Sequence, residues 1–304
     1  DGIAIWGISR IGGIEMEISG KTGLLGLIGS PVGHSGSPAM YNYSFEILDL
    51  DYRYLAFDIP VEKTEDAVNA FRTFNMKGGN VTMPCKGEVA KYMDELSPAS
   101  RIIGACNTII NKDGKLIGDI TDGKGYVRNL KENGVDIKGK KMTIMGAGGA
   151  ATAIQVQAAL DGAREISIFN KKDGFFEKAQ NTVEAIKREV PECVVNLFDI
   201  DDTEKLYEEI KTSDILTNAT LIGMKPYDNE TNIKDTSVFR KDLVVTDVVY
   251  NPIKTKMILD AEKAGCKVVG GKGMLLYQGV EAFKLFMGQE MPVEEVKAKY
   301  YSDL

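Results

Sequence analysis

The chain has 304 residues, of which 43% are hydrophobic and 27% charged, and its formal net charge is −7 at pH 7. This length is enough for two cores of ordinary domain size. An acidic chain without a block of five or more Lys or Arg residues argues against nucleic acid as a partner. No apolar run reaches the roughly 18–20 residues that span a bilayer, and the start lacks the pattern of a secretory signal. We predict a cytoplasmic protein that acts on a small molecule, and the sequence leaves monomer and homodimer open.

The histidine and cysteine content limits which catalytic and metal sites the chain could form. His34 is the only histidine in the sequence, so catalytic triads and the usual zinc sites are excluded unless His34 itself serves. The cysteines are widely spaced with no Cys-x-x-Cys pair, which favours reduced thiols: Cys85, Cys106, Cys193 and Cys266. We predict no metal site, and acid–base work should fall to Lys, Asp, Glu or Tyr.

The first half of the chain predicts an alternation of short strands and helices. Residues 1–15 stand apart from this pattern and are interpreted as an N-terminal extension or an expression remnant. Strands are predicted at 24–28, 52–59, 78–83, 107–110 and 115–120, and helices at 37–48 and 61–74. Ser37 and Pro38 mark the start of the first helix, because serine caps helices and proline fits their first turn.

A glycine-rich turn lies almost halfway along the chain. The apolar segment 140–145 runs into Gly146, Gly148 and Gly149, and helix-forming residues follow at 150–160. A strand, a glycine turn and a helix in this order hold a pyrophosphate, because the backbone comes close and the helix N-terminus offers unpaired N–H groups. A dinucleotide domain normally begins at this strand, so the residues before it are predicted to bind the substrate.

The second half continues as strand–helix units. Strands are predicted at 165–169, 193–198, 215–218, 243–249 and 267–269, and helices at 175–188, 203–210 and 253–264. Parallel strands need such crossover helices, so the pattern predicts a doubly wound sheet. The last segment, 275–287, is helical and lies outside this alternation, and we expect it to return to the first domain.

Three polar segments are candidates for chemistry. Lys86 follows a strand that ends at Pro84, where α/β proteins place ligands; the alternative is a turn with a surface lysine. Asp122 lies between a strand and a glycine-flanked turn, and it could instead be a helix N-cap. A lysine and an aspartate in one cleft would form a proton relay. Ser35 and Ser37 precede a helix and suit a carboxylate, although a plain capping turn also explains Ser37.

These segments together resemble the shikimate dehydrogenase family. The family's patterns include Ser-x-Ser-Pro, Asn-Val-Thr-x-Pro-x-Lys, Gly-Ala-x-Asn-Thr, Thr-Asp-Gly-x-Gly and Gly-x-Gly-Gly-Ala. They stand here at 35–38, 80–86, 104–108, 121–125 and 146–150, with further matches at 217–220, 247–252 and 273–279. The likeness runs in order from about residue 16 to the C-terminus.

The resemblance implies an α/β fold of two domains with the active site in the groove between them. Residues 16–121 plus 274–304 would form an α/β substrate domain with a mostly parallel sheet, and 122–273 a Rossmann-like NAD(P) domain. The implied activity is reversible oxidation of shikimate to 3-dehydroshikimate, and also of quinate to 3-dehydroquinate. It would belong to aromatic amino acid (chorismate) biosynthesis or to quinate metabolism.

The resemblance also implies roles for single residues. Lys86 and Asp122 would be the catalytic pair, with Lys86 mediating proton transfer and Asp122 holding it. The residues implied for the substrate are Ser35, Ser37, Thr82, Lys86, Asn107, Thr121, Asp122, Tyr250 and Gln278. Those implied for the cofactor are Gly146, Ala147, Gly148, Gly149, Ala150, Asn170, Lys171, Asp173, Thr217, Val248, Tyr250, Asn251, Gly271 and Met274. His34 is interpreted as structural, and Tyr54 as shaping the space that decides between shikimate and quinate.

The cofactor is suggested by the segment after the second dinucleotide strand. Members specific for NADP usually have Asn-Arg-Thr or Asn-Arg-Ser there, whereas this chain has Asn170-Lys171-Lys172-Asp173 and resembles the quinate/shikimate branch. Asp173 would accept from ribose hydroxyls and repel a 2′-phosphate, while the two lysines favour a phosphate. We predict that NAD is preferred and NADP possible. The alternatives are a strictly NADP-dependent biosynthetic enzyme and a non-catalytic dinucleotide-sensing regulator.

Overall fold

The structure, a computed structural model, describes residues 18–304. It contains two six-stranded sheets with helices packed on them, and each sheet has its own hydrophobic cores. The α/β fold with two parallel-rich sheets is therefore as predicted. The extension proposed for residues 1–15 lies outside the described residues.

The first sheet is mixed. Its strands are β1 (Gly23–Gly29), β2 (Tyr52–Asp58), β3 (Gly78–Val81), β4 (Glu95–Leu96), β5 (Thr108–Lys112) and β6 (Lys115–Asp119). Their order across the sheet is β2-β1-β3-β5-β6-β4, and every pairing is parallel except those that β5 makes with β3 and β6. All strands but β5 thus point the same way, and their carboxyl ends share one edge.

Five helices accompany this part of the chain. They are α1 (Ser37–Ile47), α2 (Thr64–Thr73), α3 (Lys86–Val89), α4 (Pro98–Ile103) and α5 (Asp122–Glu132). The predicted start of α1 at Ser37 is confirmed, with Gly36 rather than a serine at the N-cap. Strand β4 and helices α3 and α4 were not predicted, because such short segments are too brief to show a hydrophobic period.

The second sheet is entirely parallel. Its strands are β7 (Lys141–Met145), β8 (Glu165–Asn170), β9 (Val194–Asp199), β10 (Ile215–Asn218), β11 (Val244–Asp247) and β12 (Lys267–Val269). The order is β12-β11-β10-β7-β8-β9, and the crossover helices are α6 (Gly149–Leu160), α7 (Gly174–Glu189), α8 (Thr203–Thr212) and α9 (Lys256–Ala264). The strand order reverses between β7 and β10, which is where doubly wound sheets bind ligands.

The chain ends with helices α10 (Lys272–Met287) and α11 (Val293–Tyr300). Helix α10 contributes to the cores of both sheets: Met274 belongs to a core of the second sheet, whereas Phe283 packs against Tyr41 and Phe45 of α1 in a core of the first. The last predicted helix therefore does return to the first sheet. Helix α11 was not predicted, and the domain boundaries at residues 122 and 274 stay a prediction.

Candidate active site

The direction of three strands brings the candidate catalytic residues together. Strands β3 and β6 run the same way and flank β5, which runs against them. The carboxyl ends of β3 and β6 therefore meet the start of β5 at one edge of the sheet. Lys86 follows β3, Asn107 precedes β5 and Asp122 follows β6. Residues that are far apart in sequence thus converge because of the sheet topology.

Lys86 and Asp122 form a direct ion pair. Lys86 Nζ lies 2.9 Å from Asp122 Oδ2, and the two side chains are 27% and 21% exposed. Asp122 is the first residue of α5, but its carboxylate makes no capping hydrogen bond to that helix. The positive end of the helix dipole favours a negative charge at this position. Asp122 therefore holds Lys86 rather than capping α5, and the lysine is no ordinary surface residue.

Asn107 is fixed by its surroundings. Its side chain is buried, and Oδ1 accepts hydrogen bonds from the Thr121 backbone N–H and the Thr108 hydroxyl, both at 2.8 Å. These donors identify Oδ1, so the amide NH₂ is left to face the adjoining cavity. The Thr121 hydroxyl also donates to Oδ1, at 3.3 Å, and its side chain has no exposed surface. The expectation that Thr121 contacts substrate is therefore corrected: it orients Asn107.

A cavity of about 320 Å³ opens beside this pair. The structure brings most of the predicted substrate residues to its wall: Ser35, Ser37, Thr82, Lys86, Asn107, Tyr250 and Gln278. Asp122 is not on the wall and reaches the cavity through Lys86. Gln278 donates from Nε2 to the Leu275 carbonyl at 3.1 Å, which leaves its Oε1 as an acceptor. One cavity therefore offers a cation, amide groups and hydroxyls.

The serine turn closes one end of the cavity. The Ser37 backbone N–H donates to Ser35 Oγ at 3.2 Å, so Ser35 stabilises the turn before α1. Among residues 18–304, the Ser37 hydroxyl has no hydrogen-bond partner, and it faces the cavity. His34, interpreted as structural, is exposed and also lines the cavity.

Two tyrosines differ from the expectation. Tyr54 is fully buried and its hydroxyl donates to Asn80 Oδ1 at 2.8 Å, so Tyr54 supports the β3 end instead of lining the cavity. Tyr301, which sequence reasoning missed, does line the cavity. It follows the last helix without any motif around it, so no signal in the sequence pointed to it.

The glycine loop forms an open cradle at the switch point. Gly146 has φ +116°, and a Cβ there would lie 2.5 Å from the Ala219 carbonyl oxygen. A Cβ on Gly148 or Gly149 would instead meet nothing within 4 Å. Helix α6 begins at Gly149 without a side-chain cap, so its first N–H groups are free for a ligand. These residues fit the pyrophosphate of a dinucleotide.

The neighbouring strand end carries Asp173. This exposed residue caps α7, because its Oδ1 accepts from the Phe175 backbone N–H at 2.9 Å. Oδ1 also accepts from Asn170 Nδ2 at 3.3 Å, so Oδ2 is the oxygen left for a ribose hydroxyl. Lys172 Nζ lies 3.7 Å from Asp199, whereas Lys171 has no ion-pair partner within the described chain.

The expectation that Thr217 contacts the cofactor is corrected. Its side chain is fully buried in β10, and its hydroxyl lies 2.7 Å from the Tyr126 hydroxyl and 3.1 Å from that of Thr246. These hydrogen bonds link α5 to the second sheet. Thr217 is therefore structural, and its hydroxyl is not available to a ligand.

The remaining cofactor candidates cluster at the ends of β7, β11 and β12. The exposed ones are Ala150, Tyr250 and Asn251, Val248 is half-buried, and Ala147, Gly271 and Met274 are buried. A Cβ on Gly271 would lie 2.3 Å from the Val248 carbonyl oxygen, so this glycine lets two backbone segments approach.

A buried acid that sequence reasoning missed holds this edge together. Asp247 Oδ1 accepts from Asn218 Nδ2 at 3.0 Å and from the Val249 N–H at 2.9 Å, and Oδ2 accepts from the Thr255 hydroxyl at 2.7 Å. Burial raises the pKa of Asp247 to about 6, although these hydrogen bonds oppose the shift. Asp247 thereby fixes the segment that leads to Tyr250.

Within residues 18–304, no helix is long and apolar enough to cross a membrane. The same residues contain no group of three or more His, Cys, Asp or Glu side chains placed to hold a metal ion.

Comparison with known proteins identifies the family. The chain is 52% identical over 284 residues to "Shikimate dehydrogenase (NADP(+))" of Listeria monocytogenes serotype 4b (strain F2365). The match covers 93% of this chain and 97% of the relative. The chain belongs to the shikimate dehydrogenase family. Family models agree: the shikimate dehydrogenase substrate binding domain matches residues 27–109, and the shikimate 5′-dehydrogenase C-terminal domain matches 271–299.

Solved structures of shikimate dehydrogenases have the same two-domain architecture as this chain. Shikimate 5-dehydrogenase from Listeria monocytogenes, in complex with shikimate and NAD, superposes with a TM-score of 0.90 at 52% identity. The match covers 94% of this chain and 98% of the Listeria chain. Quinate dehydrogenase from Corynebacterium glutamicum, in complex with NAD, has a TM-score of 0.81 at 29% identity. That match covers 92% of this chain and 99% of the quinate dehydrogenase chain. The chain is thus an oxidoreductase with a Rossmann-like domain.

Proposed function

We propose that this protein catalyses the reversible oxidation of shikimate to 3-dehydroshikimate with a nicotinamide dinucleotide. The observation that carries the proposal is the Lys86–Asp122 ion pair, in which Nζ lies 2.9 Å from Oδ2. This pair stands beside a cavity that is lined by hydroxyl and amide side chains. The 52% identity to a relative named for this activity supports it.

Lys86 moves the proton in this mechanism. A bound nicotinamide supplies or removes the hydride at the ring carbon. During reduction the Lys86 ammonium donates a proton to the carbonyl oxygen, and during oxidation the neutral amine takes the proton from the hydroxyl. Asp122 keeps the lysine aimed at that oxygen. A sensor without catalysis would have no need for this partly buried pair.

The other cavity residues would orient the ring. Asn107 presents its amide NH₂ and Gln278 its amide oxygen, which suits ring hydroxyls that both donate and accept. The free Ser37 hydroxyl and the Ser35 turn would receive the carboxylate. Thr82 and Tyr250 complete the wall. Hydrogen bonds within the protein hold Asn107 and Gln278 before substrate arrives, which lowers the entropic cost of binding.

We further propose that both NAD and NADP are used, with NAD preferred. The support is Asp173, whose free Oδ2 would accept from a ribose hydroxyl and whose charge would repel a 2′-phosphate. Lys171 acts in the opposite sense, because its unpaired ammonium would attract that phosphate. One relative is named for NADP(+) and its solved Listeria counterpart is bound to NAD, so the family accommodates either.

Quinate is a second candidate substrate, because the wall near the serine turn is open. Gly36 carries no side chain, and a Cβ there would meet nothing within 4 Å. The extra hydroxyl of quinate at the carbon that bears the carboxylate would find room at this point. The fold similarity to a quinate dehydrogenase supports the same idea.

Steady-state kinetics with shikimate and quinate, each with NAD and NADP, test these proposals together. We expect the highest kcat/KM with shikimate and NAD, and measurable turnover with NADP and with quinate. No reduced dinucleotide in any of the four combinations would contradict the proposed activity. A kcat/KM for NADP far above that for NAD would contradict only the role given to Asp173.

A further inference from the structure

Tyr301 lies on the wall of the proposed substrate cavity. It follows α11, its ring is half-buried, and it lines the same cavity as Lys86. It also lines a second cavity of about 500 Å³, together with Gly36 and Leu275, which border both spaces. Lys86 and Asn107 border the first cavity alone. Tyr301 therefore shares both cavities with Gly36, the middle residue of the serine turn.

The hydroxyl of Tyr301 differs from those of the buried tyrosines in its hydrogen bonding. The hydroxyls of Tyr41, Tyr54 and Tyr126 are each hydrogen-bonded, as expected for buried tyrosines. Within residues 18–304, that of Tyr301 makes no hydrogen bond. Burial raises the pKa of Tyr301, so at neutral pH the phenol is protonated and can donate. A half-buried donor on a cavity wall is thus left for a ligand.

The segment around Tyr301 is anchored. Its backbone N–H donates to the Lys297 carbonyl at 2.9 Å, and its carbonyl accepts from the Leu304 N–H at 2.9 Å. Lys272, at the start of α10, forms an ion pair with Asp303, and its Nζ lies 5.8 Å from the centre of the Tyr301 ring. The ring of Tyr301 is therefore held beside the start of α10, and none of these contacts involves its hydroxyl.

The facing turn leaves space for a ligand group. Gly36 has φ −78° and ψ −9°, which any residue adopts, so its backbone does not require glycine. The missing side chain leaves open volume between the serine turn and Tyr301.

We propose that Tyr301 is a further substrate-binding residue, whose hydroxyl donates a hydrogen bond to the carboxylate of the cyclic hydroxy acid. It would act beside Ser35 and Ser37 and would tie the C-terminal segment to substrate recognition. The proposal rests on the proposed function, since it concerns how that substrate is held.

The test compares two adjacent tyrosines. Tyr301→Phe removes the free hydroxyl, whereas Tyr300→Phe removes one that donates to the Ala39 carbonyl at 3.3 Å and does not border the first cavity. A hydrogen bond to a charged group contributes enough that Tyr301→Phe should weaken shikimate binding about tenfold by calorimetry. Its kcat should stay within about twofold, and Tyr300→Phe should change both constants by less than about twofold.

A neutral analogue separates a direct contact from a structural one. The methyl ester of shikimate lacks the negative charge, so its affinity should differ far less between wild type and Tyr301→Phe. Equal losses for the acid and the ester, or the same loss in Tyr300→Phe, would overturn the role of Tyr301, as would unchanged binding in Tyr301→Phe. Failure of the wild-type protein to bind and oxidise shikimate would instead contradict the proposed function.

Discussion

The two ends of the proposed reaction site are built differently. At the substrate end, functional side chains are partly buried and fixed by protein partners, as Lys86 is by Asp122 and Asn107 by Thr121. At the dinucleotide end, the surface is made by backbone around Gly148, and Asp173, which we propose selects the cofactor, is exposed. Preorganised groups bind one arrangement of atoms strongly, whereas solvated charges contribute little. We infer that the groups that hold the ring are rigid and that cofactor choice is easily altered.

The largest effect should come from the catalytic lysine. Lys86→Ala removes the group that exchanges the proton, so kcat should fall by about 10²–10⁴-fold. Because Lys86 follows a strand of the first sheet and the glycine loop follows one of the second, dinucleotide affinity measured by fluorescence titration should change little. Lys91→Ala, which removes an exposed lysine paired with Glu88, is the matched control and should retain full activity. A Lys86→Ala enzyme with normal kcat would refute the mechanism.

Substituting two glycines of the same loop should affect different properties, stability for one and dinucleotide binding for the other. Gly146→Ala forces a side chain into a positive φ and against the Ala219 carbonyl, so the melting temperature should drop by several degrees. Gly148→Ala should fold normally, because its Cβ meets open space, but it should raise the dinucleotide KM about tenfold by filling the cradle. Normal cofactor binding in Gly148→Ala would show that the pyrophosphate does not lie there.

Cofactor choice should shift with a single charge. Asp173→Asn removes the negative charge but keeps an acceptor for the Phe175 N–H, because asparagine also caps helices. The ratio of kcat/KM for NADP to that for NAD should rise about tenfold, with little loss of stability. Asp173→Ala, as a control, should shift the ratio similarly and also lose about 1 kcal/mol of unfolding free energy with the cap. An unchanged ratio in both variants would remove Asp173 from cofactor selection.

The smallest effect concerns Asp247, the buried acid at the dinucleotide end. Its pKa is raised to about 6 in the folded protein, and an unfolded aspartate has a pKa of about 3.9. Protonation therefore favours the folded state, and this contribution is lost as pH rises through about 6. Lowering the pH from 7 to 4 should gain on the order of 1–3 kcal/mol in wild type relative to Asp247→Asn, measured by urea unfolding at each pH. Parallel pH profiles for the two proteins would contradict this shift.

The sequence predicted the fold well where hydrophobic periods are long. The parallel strands of the second sheet were placed within two residues of their observed ends, because continuous apolar runs between crossover helices have few other interpretations. Helix α11 and strand β4 were missed, since a brief or mostly polar segment carries too little of a period. Their positions depend on packing against the rest of the chain.

The site was predicted less completely than the fold. Motifs pointed to Lys86, Asp122 and Asn107, and the sheet topology explains why they meet. Motifs do not show which way a side chain faces, so Thr121 and Thr217 were taken for ligand contacts although both are buried in hydrogen-bond networks. Tyr301 reaches the cavity through the tertiary fold alone, and no local pattern could reveal it.

The most direct test of the account follows the hydride. Shikimate carrying deuterium at the carbon that becomes the ketone is mixed with the enzyme and NAD, and the reduced dinucleotide is analysed by mass spectrometry. We expect one deuterium in each reduced dinucleotide and one 3-dehydroshikimate formed with it. Reduced dinucleotide without the label, or no reduction at all, would contradict hydride transfer from shikimate in this cleft.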